Sequence, residues 1–235
     1  MCTDCGCGDV NLVPLELQTR ILARNDGTAA HNREHLRERG IFTVNLMGSP
    51  GSGKTAVLEA TARTFADSSK LAAIAGDLAT ENDAMRLERA GIRSRAIKTG
   101  QACHLDAEMV HHELHHLDLN GVEYLFVENV GNLVCPAVYD LGQDVNVVAL
   151  AVTEGEDKPL KYPTMFAKAD LVLLTKTDLL PHLDVNVSAI YNALARVMPD
   201  PAIIPLASRQ PGGVDAWTSW LARRHAAAAM EMAAT

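Results

Sequence analysis

Five cysteines are the residues of this 235-residue chain best suited to metal chemistry. Cys2, Cys5 and Cys7 form C-x-x-C-x-C in the opening MCTDCGC, and Cys103 and Cys135 lie far along the chain. Three thiolates can fold around one Ni²⁺ or Zn²⁺ ion, and an unblocked terminal amine could serve as a fourth donor. The alternative interpretation of the opening stretch is a disulfide or a reactive tail.

The second group of candidate metal ligands combines Cys103, the adjacent His104 and Cys135, which follows Glu128 by seven residues. A Cys–His–Cys set suits Zn²⁺ or Ni²⁺. Its alternative interpretation is three buried structural residues.

Glu108 and His112 follow His104 at four-residue intervals, which predicts a shared helix face and makes both candidate further ligands. The other histidines are expected on the solvated surface rather than at a metal; they are His31, His35, His111, His115, His116, His182 and His225.

A glycine-rich loop, GSPGSGKT at 48–55, fits the phosphate-binding pattern G-x-x-x-x-G-K-[ST] between a predicted strand and a predicted helix. Its backbone N–H groups would wrap phosphate oxygens, Lys54 would reach the β- and γ-phosphates, and the Thr55 hydroxyl would bind Mg²⁺. The predicted nucleotide-binding residues of this loop are Gly48, Gly51, Ser52, Gly53, Lys54 and Thr55.

A magnesium–nucleotide site also needs a carboxylate at the end of another strand. Glu128 ends YLFVE and begins ENVG, so it would hold Mg²⁺ through water, while Gly131 would sense the γ-phosphate. Asp77 and Asp83 are further Mg²⁺ candidates. Their alternative roles are a helix cap for Asp77 and a solvated helix face for Asp83.

The choice of base is predicted from TKTD at 175–178, which resembles the guanine motif N-K-x-D with Thr175 in place of Asn. The Asp178 carboxylate can accept two N–H bonds from guanine, and Lys176 is retained, which favours GTP over ATP. Thr175 cannot make the amide contacts of Asn. Ser208, in LASRQ, lies in a loop that would touch the base.

Composition is typical of one globular domain with small extensions, because 48% of residues are hydrophobic and 21% are charged. A net charge of −8 argues against broad binding to nucleic acid or to an anionic membrane. Neither a secretory signal nor an apolar stretch long enough to span a bilayer is apparent. We expect a cytoplasmic protein with reduced cysteines.

Short apolar runs alternate with helical patterns from residue 41 onward, which predicts an α/β fold with a mostly parallel central sheet and helices on both faces. The predicted strands are 41–47, 71–76, 94–99, 122–129, 145–153, 169–176 and 202–207. The predicted helices are 53–66, 80–90, 105–117, 160–167, 184–197 and 213–225.

Four segments are predicted from these patterns. Residues 1–14 would form a flexible metal-binding tail and residues 15–40 one or two helices that end at Gly40. Residues 41–225 would form the phosphate-binding domain, and the Ala-rich residues 226–235 a fraying helix or tail.

Together, several of these motifs resemble the HypB family over nearly the whole chain: the P-loop with ENVG, the cysteine after it, CHLDA, GEDKPLKYP and the terminal C-x-x-C-G-C. The resemblance implies a P-loop NTPase of the SIMIBI class that pairs as a GTP-favoured homodimer. It implies a GTPase that helps insert nickel into [NiFe]-hydrogenase, with hydrogenase maturation proteins or the hydrogenase large subunit as partners.

The resemblance also assigns roles to residues. Cys2, Cys5 and Cys7 match the family's high-affinity nickel site. The family's G-domain metal site, at the dimer interface, matches Cys103, His104 and Cys135. His112 matches a further ligand of zinc-bound relatives, whereas Glu108 stands where some relatives have histidine. Lys158 and Lys161 match a segment near the nucleotide that could contact it across the dimer.

These observations predict a slow GTP-hydrolysing nickel metallochaperone whose metal binding is coupled to nucleotide state. The missing histidine-rich tract of some relatives argues for transfer rather than storage. The alternatives are a regulatory GTPase switch with structural zinc and a nickel chaperone for another enzyme such as urease. A small-molecule or polynucleotide kinase would leave the cysteines and TKTD unexplained.

Overall fold

The computed structural model describes residues 15–77, 81–100 and 102–233, with side chains from residue 20 onward. Cys2, Cys5 and Cys7, for which a metal site is predicted, lie outside the described residues. The proposed division of the chain into four segments therefore stays a prediction.

Seven strands form one all-parallel sheet in the order β3-β2-β4-β1-β5-β6-β7. They are β1 Phe42–Gly48, β2 Leu71–Asp77, β3 Arg93–Lys98, β4 Tyr124–Glu128, β5 Val145–Ala151, β6 Leu171–Thr175 and β7 Ile203–Pro205. Each lies within or close to a predicted strand. Continuous apolar runs suit the five inner strands β2, β4, β1, β5 and β6, which are largely buried on both faces, whereas the edge strand β3 contains exposed charged residues. The predicted fold class is confirmed.

Eight α-helices within the described ranges connect and flank the strands. They are α1 Leu15–Glu38, α2 Lys54–Thr64, α3 Asn82–Arg89, α4 Ala107–Leu114, α5 Lys158–Lys161, α6 Pro163–Ala167, α7 Val187–Val197 and α8 Asp215–Ala233. The helix predicted over 160–167 is divided at Tyr162, because a residue before proline is disfavoured in the helical conformation. Helix α8 runs through most of the Ala-rich segment, which has high helix propensity.

Alternate residues along each strand pack on opposite faces of the sheet. In β4, Phe126 packs on the face covered by α2, α3 and α8, where Trp217 is fully buried. Leu125 packs on the other face, in a cluster with Leu36 of α1 and Val110 of α4. Since all strands run in the same direction, their carboxyl ends meet at one edge, which is where the functional residues gather.

No helix in the described ranges combines the length and apolarity that crossing a bilayer requires.

Candidate nucleotide pocket and metal centre

The phosphate-binding loop joins the end of β1 to the start of α2. Gly53 adopts a left-handed backbone with φ of 95°, which glycine does without strain, and Lys54 then begins the helix. Lys54 and Thr55 are each 7% exposed. This geometry leaves the helix N-terminus facing a cleft of ≈ 450 Å³, as a phosphate site requires.

The Lys54 amine donates to the carbonyls of Gly48, at 3.2 Å, and Ser49, at 3.3 Å. Burial lowers the pKa of Lys54, and the carboxylates of Glu128 and Asp83 oppose this shift. The amine is thus held inside the loop by backbone oxygens, at the place where nucleotide phosphates would bind.

The Thr55 hydroxyl lies between two carboxyl groups, 3.0 Å from Asp83 Oδ1 and 2.7 Å from Glu128 Oε1. Glu128 is buried, and its Oε2 has no hydrogen-bond partner among the described residues. Burial raises the pKa of Glu128 to about 7, although Lys54 and the Thr55 hydroxyl act against this shift. Oxygen donors converging in this way fit Mg²⁺.

Asp77, at the end of β2, and Gly131, after β4, also line this cleft. The sequence analysis missed Arg86, which lines the same cleft, donates to both carboxylate oxygens of Glu59 at 3.0 and 2.9 Å, and bonds Asp83 at 3.2 Å. The three-residue spacing from Asp83 to Arg86 on a predicted helix could have indicated this pair.

The predicted base-recognition loop is joined directly to the phosphate-binding loop. The buried Thr175 hydroxyl donates to the Ser52 carbonyl at 2.6 Å. Although Thr175 lacks the amide of asparagine, its hydroxyl thus contacts the neighbouring phosphate-binding loop. Lys176 follows with a φ of 59° and lines the cleft, whereas Asp178 lies in the 3₁₀ turn Thr177–His182, outside its lining.

The loop after β7 lies beside this turn, since Thr177 N–H donates to the Leu206 carbonyl at 3.2 Å. The Ser208 carbonyl accepts from Arg63 at 3.1 Å. Arg209, which the sequence analysis did not single out, lines the cleft. The loop after β7 is therefore near the nucleotide site, and Arg209 is the residue of this loop that lines the cleft.

The candidate metal centre contains Cys103, His104 and Cys135, whose ligand atoms lie within 4.8 Å of one another. The two sulfurs are 2.9 Å apart, and Cys103 Sγ is 3.9 Å from His104 Nδ1. The His104 ring stacks on Tyr139 at 3.9 Å between centroids. Two thiols and an imidazole so placed can hold Zn²⁺ or Ni²⁺ with a donor from elsewhere completing the coordination.

Two segments bring these ligands together. Cys103 and His104 lie in the turn before α4, and Cys135 begins a 3₁₀ turn after β4. Asn129 ties the segments to each other, because its Oδ1 accepts from the N–H groups of Leu105, at 3.3 Å, and Val130, at 2.9 Å. Sequence reasoning missed this linking role of Asn129.

The helix face predicted to join His104, Glu108 and His112 is not observed. Asp106 caps α4, which begins at Ala107, so His104 precedes the helix and the four-residue spacing does not apply to it. Glu108 faces Thr28 of α1. His112 is exposed beside Glu113, so neither residue joins the Cys–His–Cys group.

Lys158 and Lys161 lie outside the lining of the nucleotide cleft of their own chain. Lys161 pairs with Asp157 at 2.7 Å, and the Lys158 amine is 3.6 Å from Glu154 Oε2. Glu154 in turn accepts from the Ser49 hydroxyl of the phosphate-binding loop. The role of Lys158 and Lys161 across a dimer stays a prediction.

Comparison with known proteins gives consistent matches. A model of the CobW/HypB/UreG nucleotide-binding domain matches residues 42–205. The chain is 49% identical over 208 residues to "Hydrogenase maturation factor HypB" of Rhizobium leguminosarum bv. viciae, covering 88% of this chain and 69% of the relative. It is 45% identical over 207 residues to the protein of that name from Escherichia coli strain K12, covering 88% and 71%.

Among solved structures, HypB from Helicobacter pylori in complex with nickel matches with a TM-score of 0.82 and 39% identity, covering 86% of this chain and 95% of that one. HypB from Archaeoglobus fulgidus matches with a TM-score of 0.79 and 38% identity, covering 87% and 100%.

Proposed function

Because the chain belongs to the HypB family of CobW/HypB/UreG nucleotide-binding proteins, we propose that it is a GTPase that delivers nickel during [NiFe]-hydrogenase maturation. GTP and Mg²⁺ bind the cleft, and nickel binds Cys103, His104 and Cys135. The Cys2, Cys5 and Cys7 cluster is a second nickel holder. The acceptor is a hydrogenase maturation protein or the hydrogenase large subunit, in the cytoplasm.

One observation carries the proposal: the segment after β4 contacts the phosphate-binding loop and also supplies a metal ligand. Glu128, the last residue of β4, accepts from Thr55; in the segment after it, Gly131 lies against Pro50 and Asn132 forms a backbone bridge with Gly48. Cys135 follows within three residues of that bridge. A movement of this segment with the γ-phosphate would therefore change the metal site.

Nickel affinity in two nucleotide states tests this coupling. Ni²⁺ binding would be measured with GDP and with a non-hydrolysable GTP analogue, for the natural chain, for Cys135→Ala and for Cys2/Cys5/Cys7→Ala. The terminal variant should lose one tight site and keep the nucleotide dependence of the other. Cys135→Ala should lose that dependence.

Two outcomes would contradict this function. If the nucleotide dependence survives in Cys135→Ala, the coupling is wrong. If the chain binds only Zn²⁺, equally in either nucleotide state, then a zinc-containing regulatory switch replaces nickel delivery.

Guanine selectivity is assigned to Asp178. Asp178→Asn should reduce GTP affinity and favour xanthosine triphosphate, because an amide N–H can donate to the carbonyl that xanthine carries in place of the guanine amino group. If the natural chain and Asp178→Asn bind GTP equally well, another residue selects the base. Hydrolysis should be slow, on the order of 10⁻⁴ s⁻¹, as for unaided GTPases of the Ras type.

A further inference from the structure

Four histidines predicted to lie on the solvated surface rather than at a metal are carried by two helices that pack side by side. Helices α1 and α4 run in the same direction, since Asn25 bonds Ala107 near the start of α4 and Asn32 bonds His111 one turn later. His31 and His35 of α1 are one helical turn apart, as are His111 and His115 at the end of α4. Histidines four residues apart share a face, as in helical zinc motifs.

Asn32 determines which nitrogen of His111 carries a proton. Its side-chain N–H groups donate to the carbonyls of Ala107, at 2.9 Å, and Leu141, at 3.3 Å, so its amide orientation is fixed. Its oxygen, 2.9 Å from His111 Nδ1, must then accept from that nitrogen. In neutral His111 the lone pair is therefore on Nε2, and a buried amide orients the ring, as is common for metal-binding histidines.

His111 Nε2 lies 3.1 Å from His115 Nε2. Two nitrogens bound at roughly 2.0–2.1 Å to one ion, at angles between those of octahedral and tetrahedral geometry, are roughly 2.9–3.4 Å apart. Without an ion, His115 Nε2–H donates to His111. With an ion, the proton of His115 resides on Nδ1, and both Nε2 lone pairs are available.

We propose that His111 and His115, with His31 as a third donor from α1, form a further metal site, apart from both cysteine sites, that takes a borderline divalent ion such as Ni²⁺ or Zn²⁺. The exposed His31 ring is 5.2 Å from that of His111 between centroids, so a side-chain rotation brings one of its nitrogens to the ion. This site has no thiolate, which separates it from the Cys–His–Cys centre. It does not depend on the hydrogenase role.

The test isolates imidazole binding in the full-length chain. All five cysteines are replaced by Ala, and circular dichroism confirms that this background keeps its helix and strand content. Bound Ni²⁺ and Zn²⁺ per chain are then measured by equilibrium dialysis. In the same background, His115→Ala and His31→Ala remove exposed donors without opening the core, and His182→Ala is the matched control on an exposed histidine elsewhere.

We expect one equivalent in the cysteine-free chain and in His182→Ala. His115→Ala should weaken binding at least about tenfold, and His31→Ala should weaken it in the same direction. Imidazole ¹⁵N resonances of His111 and His115 should shift together on adding Zn²⁺. Absence of a bound equivalent, or equal weakening by His182→Ala, would overturn the proposal. A shift of the His182 resonance in place of these two would also overturn it.

Discussion

At the scale of single residues, the buried carboxyl of Glu128 links ligand binding at the phosphate-binding loop to the release of protons. A pKa of about 7 means that the group is about half protonated at pH 7 in the nucleotide-free chain. A Mg²⁺ ion placed against it favours the charged form and lowers this pKa. Binding of Mg²⁺–GDP near neutral pH should therefore release a fraction of a proton from this group.

Calorimetry in buffers of different ionisation enthalpy measures this release. The proton release should fade above about pH 8, where Glu128 is already charged in the free protein. Glu128→Gln should abolish the release. If Glu128→Gln releases as many protons as the natural chain, another group is responsible.

Thr175 shows how one hydroxyl can join two parts of a site. Thr175→Val preserves the shape of the side chain but leaves the Ser52 carbonyl without its donor, which should cost about 1–3 kcal/mol in the free energy of unfolding. GDP affinity should fall as well, because Ser52 belongs to the phosphate loop. Urea denaturation and GDP titration measure the two effects. The neighbouring Thr177→Val, as control, should change both less.

At the scale of elements, the sequence predicted the sheet well because apolar runs report local burial. It also placed the phosphate loop, because that motif is contiguous between strand and helix. It failed where the outcome depended on a helix start: Asp106 as the N-cap of α4 removes His104 from the helix. The approach of α1 to α4 joins residues about 80 positions apart, as from Asn32 to His111, and no local pattern encodes that contact.

Replacing either of two glycines by alanine is expected to have opposite effects. An added Cβ at Gly131 would lie 2.9 Å from the Pro50 backbone nitrogen, whereas one at Gly27, within α1, would meet no atom of the described residues within 4 Å. Gly131→Ala should push the segment after β4 away from the phosphate loop and weaken GDP binding about tenfold. Gly27→Ala should leave GDP binding unchanged and raise the free energy of unfolding by about 0.4–1 kcal/mol.

Fluorescence titration with a labelled GDP and urea denaturation, run on both variants, would check this pair. Unchanged GDP binding in Gly131→Ala would show that the contact between Gly131 and Pro50 can shift without affecting the nucleotide site. Destabilisation by Gly27→Ala would indicate that α1 has a neighbour at this position that is not among the described residues.

At the scale of the whole molecule, we expect the proposed homodimer to form on the surface around Cys135. Val134 and Val138, on either side of the buried Cys135, are 49% and 42% exposed, and apolar side chains at such a position favour burial in an interface. Val138→Glu should raise the dissociation constant of a GTP-bound dimer at least about tenfold, because the dimer would have to bury a charge.

Sedimentation velocity with a GTP analogue measures that effect. The matched control is Met230→Glu, which places the same charge on a 73% exposed residue of α8. Equal dissociation in both variants would indicate a general effect of charge and would remove this surface from the proposed dimer.

The bond from Thr175 to Ser52 also bears on how such proteins are recognised across genomes. At this position threonine provides a short side chain with a hydrogen-bond donor that reaches the Ser52 carbonyl, and asparagine also carries a side-chain donor. A pattern search that demands the letter asparagine would pass over this chain, although its loop is anchored. Substitution between these two residues could thus occur during divergence without loss of that anchor.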